Sequence, residues 1–122
     1  MDTQLYETCL AEEKDLQFVC VTQNEMLKLG LTIHENNAHF DGPLAIRIEI
    51  KEVFSFYPDG TGIFHKMWLE RKAKLVSVRE MSSLRAFLEL EKAGERLETD
   101  WNLDPKTYAA CGGGFPIRLK DG

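Results

Sequence analysis

The chain has 122 residues, of which 43% are hydrophobic and 29% are charged, a composition typical of an ordinary globular protein. This length fits a single domain over residues 1–122. A chain of this size buries roughly two thirds of its unfolded surface, so a hydrophobic core can form without disulfides or a structural metal. The net charge of −5 argues against a protein that binds nucleic acid through its phosphates.

The N-terminal residues 1–15, MDTQLYETCLAEEKD, are acidic and hold no apolar segment of the kind that directs secretion. No stretch approaches the roughly 18 apolar residues of a membrane span. The three cysteines, Cys9, Cys20 and Cys111, are odd in number and far apart, which favours free thiols in a reducing compartment. We therefore expect a cytoplasmic protein with no disulfides and no membrane partner.

The first third of the chain predicts a helix followed by a β-hairpin. An apolar stripe of Leu5, Cys9 and Leu10 predicts a short helix over residues 2–13. Residues 16–21 and 27–33 alternate as two strands do, with a turn at 23–26. The alternative for the second of these segments is a short helix over 25–29, capped by Asn24 and ended by Gly30.

The middle of the chain predicts a second hairpin. Residues 44–57, LAIRIEIKEVFSFY, predict a third strand, and residues 62–76 predict a fourth. Between them, Asp59-Gly60 supplies the positive φ angles that a tight turn needs.

The last third predicts one helix and an irregular tail. The helix runs from Leu84 to Ala93 and ends at Gly94. Its start is left open between a capping box of Ser77 with Glu80 and a cap at Ser82 or Ser83. In the tail, Asp104-Pro105 predicts a helical turn, and residues 115–119 predict an edge strand.

The resulting fold class is α+β. We expect a curved antiparallel sheet of four to five strands in meander order, covered by the N-terminal helix and the later helix.

Two segments resemble metal sites, but neither has the spacing that a metal requires. In the segment IHENNAHFDG, His34 and His39 are five residues apart, which places them about 140° apart on a helix, so they cannot share a zinc ion there. The segment is better interpreted as a solvated turn. A metal site formed within the loop by His34, His39 and Asp41 is the alternative. Residues 100–104 begin like a calcium loop, but Pro105 and Cys111 stand where glycine and glutamate are needed. We therefore predict no metal and no cofactor, and we interpret the glycines at 112–114 as a bend.

The strand over 44–57 carries the candidate site. One of its faces is apolar from Leu44 to Phe56 except for Glu52. In the predicted hairpin Phe54 opposes His65 and Glu52 opposes Met67, so Glu52 and His65 are diagonal neighbours. A buried acid beside a histidine is a candidate for proton transfer or for anchoring a ligand. The catalytic candidates are therefore Glu52 and His65, and the candidate ligand-binding residues are Glu52, Phe54, His65 and Met67.

Two structural alternatives to this pocket stay open. A β-bulge near residues 51–53 turns Glu52 towards solvent, and a shift of one residue in the turn places Lys66 opposite Glu52.

The opposite face of the predicted hairpin is polar and carries Trp68, which we predict to lie in a homodimer interface. Basic residues around an aromatic side chain also suit single-stranded nucleic acid, but Glu49 and Glu70 between them weigh against this partner. The charge is uneven, with a net of −6 over residues 1–43 and +3 over residues 44–79. Either ion pairs within the chain or charged contacts in a dimer would explain this uneven distribution of charge.

The leading hypothesis is a small, soluble, non-catalytic binding protein that has a modest pocket for an apolar ligand and acts as a homo-oligomer. The alternative is a small enzyme of the isomerase, dehydratase or hydrolase type that uses Glu52 and His65 as its acid–base pair. A third hypothesis is a structural module for protein–protein interaction.

Overall fold

A computed structural model describes residues 2–19, 21–37, 44–48 and 54–120. Its described elements are, in chain order, helices and short strands: α1 (Thr3–Asp15), α2 (Gln23–Asn36), β1 (Ile46–Ile48), β2 (Phe54–Phe56), α3 (Ile63–Arg79) and α4 (Ser83–Ala93). The predicted sheet of four to five strands is therefore wrong, because the described residues form four helices and one two-stranded sheet.

The chain divides into two compact units, which are described separately. The terminal unit comprises Met1–Val19 and Glu70–Gly122, and the central unit comprises Cys20–Leu69. Helix α3 contributes residues to both. The expectation of one domain over residues 1–122 stays a prediction.

Helix α1 of the terminal unit confirms the predicted N-terminal helix. Asp2 caps it, because its side chain accepts a hydrogen bond of 2.9 Å from the backbone N–H of Leu5. The buried residues are Cys9 and Glu13, four positions apart and hence on one face, whereas Leu5 is 36% exposed. The apolar stripe thus located the helix but not its full buried face.

Helix α4 was also predicted correctly. The Ser82 hydroxyl caps its start and accepts from the backbone N–H of Arg85, and Gly94 ends it in the left-handed conformation, with φ of 65°. Helices α1 and α4 pack against each other. The buried core of the unit contains Leu75, Met81 and Ala86, against which the tail packs Trp101, Leu103, Tyr108 and Ala110.

The tail contains turns and one isolated bridge. The backbone carbonyl of Asp104 accepts from the N–H groups of Thr107 and Tyr108, which closes a single turn where a helical turn was predicted. At the predicted edge strand 115–119, Leu119 forms a parallel bridge with Phe18.

In the central unit, helix α2 replaces the second strand of the predicted hairpin. The Thr22 hydroxyl caps it by accepting from the backbone N–H of Glu25, and the helix continues through Gly30, at which the helical alternative was expected to end. The glycine is required here because a Cβ at this position would lie 2.3 Å from the Cδ1 atom of Phe54. The alternative of a helix over 25–29 was therefore nearer the structure than the preferred strand.

The predicted strand over residues 44–57 folds back on itself. Strand β1 pairs antiparallel with β2 in a register that matches Ile46 with Phe56 and Ile48 with Phe54. Helix α2 packs against both strands. Residues 49–53, with Glu52 among them, lie outside the described part of the chain.

The predicted fourth strand is helix α3. The expected turn is present, since Gly60 has a φ of 93° and Thr61 donates its N–H to the carbonyl of Pro58, but it leads into a helix. Residues 63–79 contain no glycine or proline, and ten of these seventeen residues are lysine, arginine, leucine, methionine, glutamate or alanine. Strong helix formers of this kind outweigh a short alternating pattern.

Candidate functional site

The first two turns of α3 present large apolar side chains to solvent. Ile63 is 78% exposed, Phe64 is 64% exposed and Met67 is 52% exposed. Spacings of three and four residues place them on one side of the helix. We call these three residues the α3 apolar face. Contiguous exposed apolar groups of this kind mark interaction sites in proteins.

An aromatic contact holds this face in place. The ring of Phe64 meets the ring of Trp68 edge to face, with 6.0 Å between the centroids and 78° between the planes. Trp68 is half-buried, so Phe64 rests on a partly fixed neighbour. An aromatic side chain that already packs against a neighbour has little further conformational entropy to lose when a partner protein covers it.

The segment before α3 fixes where this face begins. The Thr61 hydroxyl donates to the Pro58 carbonyl at 2.7 Å, and the backbone N–H of Gly62 donates to Nδ1 of His65 at 3.1 Å. Because Nδ1 accepts this bond, the neutral imidazole carries its proton on Nε2. His65 therefore has a local role as a cap of the helix N-terminus.

The residues of the predicted pocket lie on different elements. Phe54 is on β2 with its ring against Gly30, while His65 and Met67 are on α3. The hairpin register that made Glu52 and His65 neighbours is absent, since 63–79 is a helix. Glu52 itself lies outside the described residues, so its pairing with His65 stays a prediction. Trp68, expected on a strand, lies on α3 beside Phe64, and its role at an interface stays a prediction too.

The terminal unit contains a buried ionic cluster that the sequence did not suggest. Glu13 is 2% exposed and accepts from the backbone N–H of Ser82 at 3.2 Å and from its hydroxyl at 2.9 Å. Arg85 donates to the same carboxylate at 3.1 Å, and Arg118 lies 3.6 Å from it. Arg85 also binds Glu89 at 2.6 Å. The acid is thus paired and fully hydrogen-bonded, as a buried charge must be.

The electrostatics of this cluster favour a structural role over a catalytic one. Burial raises the pKa of the nearby Cys9 thiol, and Glu12 and Glu13 raise it further, which disfavours the thiolate that a nucleophile requires. Burial and then Glu89 raise the pKa of Tyr6 in the same way. Burial alone would lower the pKa of Arg85, but its hydrogen bonds to Glu89 and Glu13 outweigh this, so that the pKa is raised. The cluster ties α1 to the start of α4.

Glu13 was missed because it stands in the acidic run AEEKD, which is typical of a solvated surface. The signal that identifies it is its spacing of four residues from Cys9, which puts it on the buried side of α1.

Within the described ranges, no group of three or more histidine, cysteine, aspartate or glutamate residues is arranged to hold a metal ion. His34 lies in the last turn of α2, with its ring 4.7 Å from that of Phe56, whereas His39 and Asp41 lie outside the described residues. In the same part of the chain, no helix is long and apolar enough to cross a bilayer.

Comparison with known proteins gives relatives and a fold. The UPF0303 protein P4H10.12 of Schizosaccharomyces pombe is 27% identical over 123 positions, which cover 98% of this chain and 69% of that protein. The UPF0303 protein YE1367 of Yersinia enterocolitica is 31% identical over 114 positions, which cover 92% of this chain and 68% of that protein. These names state a family and no activity. No family model matches the chain.

The fold of the whole chain resembles that of a protein of known structure. The crystal structure of the Ybr137w protein superposes with a TM-score of 0.80, covering 100% of this chain and 80% of that one, at 22% sequence identity. At this identity the likeness shows a shared fold alone.

Proposed function

We propose that this chain, which belongs to the UPF0303 family, is a non-catalytic binding protein that associates with further copies of itself. The observation that carries the proposal is the α3 apolar face of Ile63, Phe64 and Met67. Phenylalanine, methionine and tryptophan are enriched where protein partners meet, whereas exposed lysine and glutamate are depleted there.

The energetics support a contact of this kind. Burying a fully exposed isoleucine, phenylalanine or methionine side chain contributes about 1.5–3 kcal/mol each. The bracing of Phe64 by Trp68 and the capped start of α3 reduce the entropy that a partner has to overcome. The aromatic pair of Phe64 and the adjoining Trp68 supplies the kind of anchor that dominates association energies.

The chemistry of the terminal unit supports the non-catalytic part of the proposal. Its buried carboxylate is neutralised by two arginines, and its buried thiol has a raised pKa. A catalytic acid, base or nucleophile instead requires a pKa that leaves its reactive form populated near neutral pH.

We also propose that the protein works in the cytoplasm. Cys9 is buried and Cys111 is half-buried, and both are free thiols in the structure, which supports a reducing compartment. A small apolar ligand remains part of the proposal as a second partner, and Phe54 and Met67 remain its candidate contacts.

The test is sedimentation equilibrium of the chain across a range of concentrations. We expect the average mass to rise above the chain mass of 14.0 kDa as concentration increases. Phe64→Asp should abolish this rise, because it replaces the aromatic side chain of the α3 apolar face by a charge. The matched control is Val78→Asp, at an apolar residue of α3 that is 50% exposed but lies in the terminal unit. A wild-type chain that stays at 14.0 kDa at every concentration would overturn the proposal.

A further inference from the structure

The partner surface for the α3 apolar face is identified by charge and by a second exposed apolar strip. Lys66 is the cation of α3 that lies beside the α3 apolar face, whereas Arg71, Lys72, Lys74 and Arg79 lie in the part of the helix that belongs to the terminal unit. Lys66 and Lys74 are exposed. Two copies of this face that met each other would bring their exposed Lys66 ammonium groups together, which costs free energy at an interface. The α3 apolar face is therefore better matched to an acidic surface than to its own copy.

Helix α1 supplies a surface of that kind. It contains four acids and one lysine: Glu7, Glu12, Glu13 and Asp15, with Lys14. Glu12 and Asp15 face solvent, and within the described part of the chain the ion pairs of α1 go to Glu13. The exposed helix surface thus keeps a negative charge that neighbouring cations do not neutralise.

The same side of α1 is also apolar. Leu5 is 36% exposed, and Leu16, which ends the helix, is 56% exposed. With Glu12, these residues are separated by seven and four positions, which places all three along one side of a helix. We call Leu5, Glu12 and Leu16 the α1 acidic strip. It flanks the face that carries Cys9 and Glu13 and packs in the terminal unit.

We propose that the α3 apolar face of one copy binds the α1 acidic strip of a second copy. The inference rests on the proposed function and names its partner surface. The contact joins two different surfaces of the same chain, so each copy keeps one free surface of each kind after the first contact forms. Such a heterologous interface builds a closed ring where the rotation closes, and a filament where it does not.

This geometry makes a complementation experiment decisive. Phe64→Asp blocks the α3 apolar face, and Glu12→Lys reverses the charge of the α1 acidic strip. Each variant alone is expected to lose assembly, with at least a tenfold rise in dissociation constant. An equal mixture of the two retains one intact pair of surfaces and should form a species of twice the chain mass that grows no further.

The matched control is Glu7→Lys, which makes the same charge change at an exposed residue on the opposite side of α1. It should assemble as the wild type does. Thermal unfolding followed by circular dichroism identifies any variant that loses its fold, and for such a variant Leu16→Lys replaces Glu12→Lys in the mixture.

The outcomes separate the two proposals. If the wild type assembles and Glu12→Lys and Leu16→Lys assemble equally well, the α1 strip is not the partner surface, and the self-association proposed above stands. If the mixture stays monomeric while the wild type assembles, a contact between like surfaces is favoured, and this inference falls. If the wild type remains a monomer, the proposed function fails as well. A dimer in the mixture alone supports the inference.

Discussion

Glu13 and Ser82 are joined by two hydrogen bonds, one from the serine backbone N–H and one from its hydroxyl to the same carboxylate oxygen. Ser82 is the cap of α4, and Glu13 lies in the third turn of α1. The acid therefore satisfies backbone and side-chain donors at the start of one helix from a position on another. Arg85 balances its charge from the first turn of α4.

Removal of this acid should destabilise the protein strongly. Glu13→Ala leaves Arg85 and the two Ser82 donors without their acceptor, and breaking a buried ion pair on one side costs about 3 kcal/mol or more. Glu13→Gln should cost less, because the amide oxygen still accepts from Ser82. Urea denaturation followed by circular dichroism measures both changes.

The neighbouring acid gives the control for this prediction. Glu12→Ala should change the free energy of unfolding by less than about 0.5 kcal/mol, because Glu12 is exposed. Equal losses for the Glu12 and Glu13 variants would show that the buried cluster does not stabilise the fold.

Gly30→Ala should destabilise the chain although alanine favours helices. The change gains about 1 kcal/mol of helix propensity. It also places a methyl group between 2.3 and 2.7 Å from three ring atoms of Phe54, and overpacking of this kind costs about 1–3 kcal/mol. We expect a net loss near 1 kcal/mol, measured by thermal and urea unfolding.

A second substitution tests the cause of that loss. Phe54→Leu removes the ring, so the double variant Gly30→Ala with Phe54→Leu should lose less stability than the two single changes added together. Gly62→Ala is the control, because a Cβ there meets nothing within 4 Å. A stabilised Gly30→Ala variant would contradict the close approach of ring and helix.

The elements that were predictable from sequence have local signals. Ser82, one of the candidate starts, and Gly94 mark the ends of α4, and the stripe of Leu5, Cys9 and Leu10 locates α1, which Asp2 caps in the structure. Such caps act through their own backbone neighbours, so they can be recognised without knowledge of the tertiary fold.

The central unit was not predictable in this way. Leu27 and Leu31 alternate with polar residues as a strand does, yet they also have the four-residue spacing of a helix. The sequence favours the strand because the alternation continues through Gly30, which only the helical alternative takes as an end. The deciding contact is tertiary, namely the ring of Phe54 against Gly30. The candidate site shows the same limit, because the α3 apolar face exists only once residues 63–67 are known to be helical.

Cys9 should resist alkylation more than Cys111 does. Burial raises the pKa of the Cys9 thiol, and the charges of Glu12 and Glu13 raise it further. At a given pH a smaller fraction of Cys9 is therefore in the thiolate form, the form that reacts, than for a thiol with an ordinary pKa. At pH 8, mass spectrometry should find iodoacetamide on half-buried Cys111 before it is found on Cys9.

The sign of the pH dependence follows from the same shift. A raised pKa means that the folded state holds the proton more tightly than the unfolded state. The contribution of Cys9 to folding stability is therefore fully present below the ordinary thiol pKa and is lost as pH rises from there through the raised pKa of the folded state. Alkylation of Cys9 should accelerate with pH and should match that of Cys111 in guanidinium. A Cys9 that reacts first in the folded chain would contradict the buried position.

The predicted pairing of Glu52 with His65 is tested by two substitutions at Glu52. If Glu52 faces an apolar environment, Glu52→Leu should raise the free energy of unfolding by about 1 kcal/mol or more, since it removes the cost of burying a charge. Glu52→Gln should stay within about 0.5 kcal/mol, because it preserves shape and hydrogen bonding. Loss of the pairing should also shift the NMR resonances of the His65 ring in the Gln variant. Nδ1 of His65 should keep its hydrogen bond from the Gly62 N–H whether or not Glu52 pairs with the ring. The signal of that N–H therefore serves as the internal reference. Unchanged stability in both variants, with unmoved His65 resonances, would place Glu52 in solvent and remove the acid–base pair.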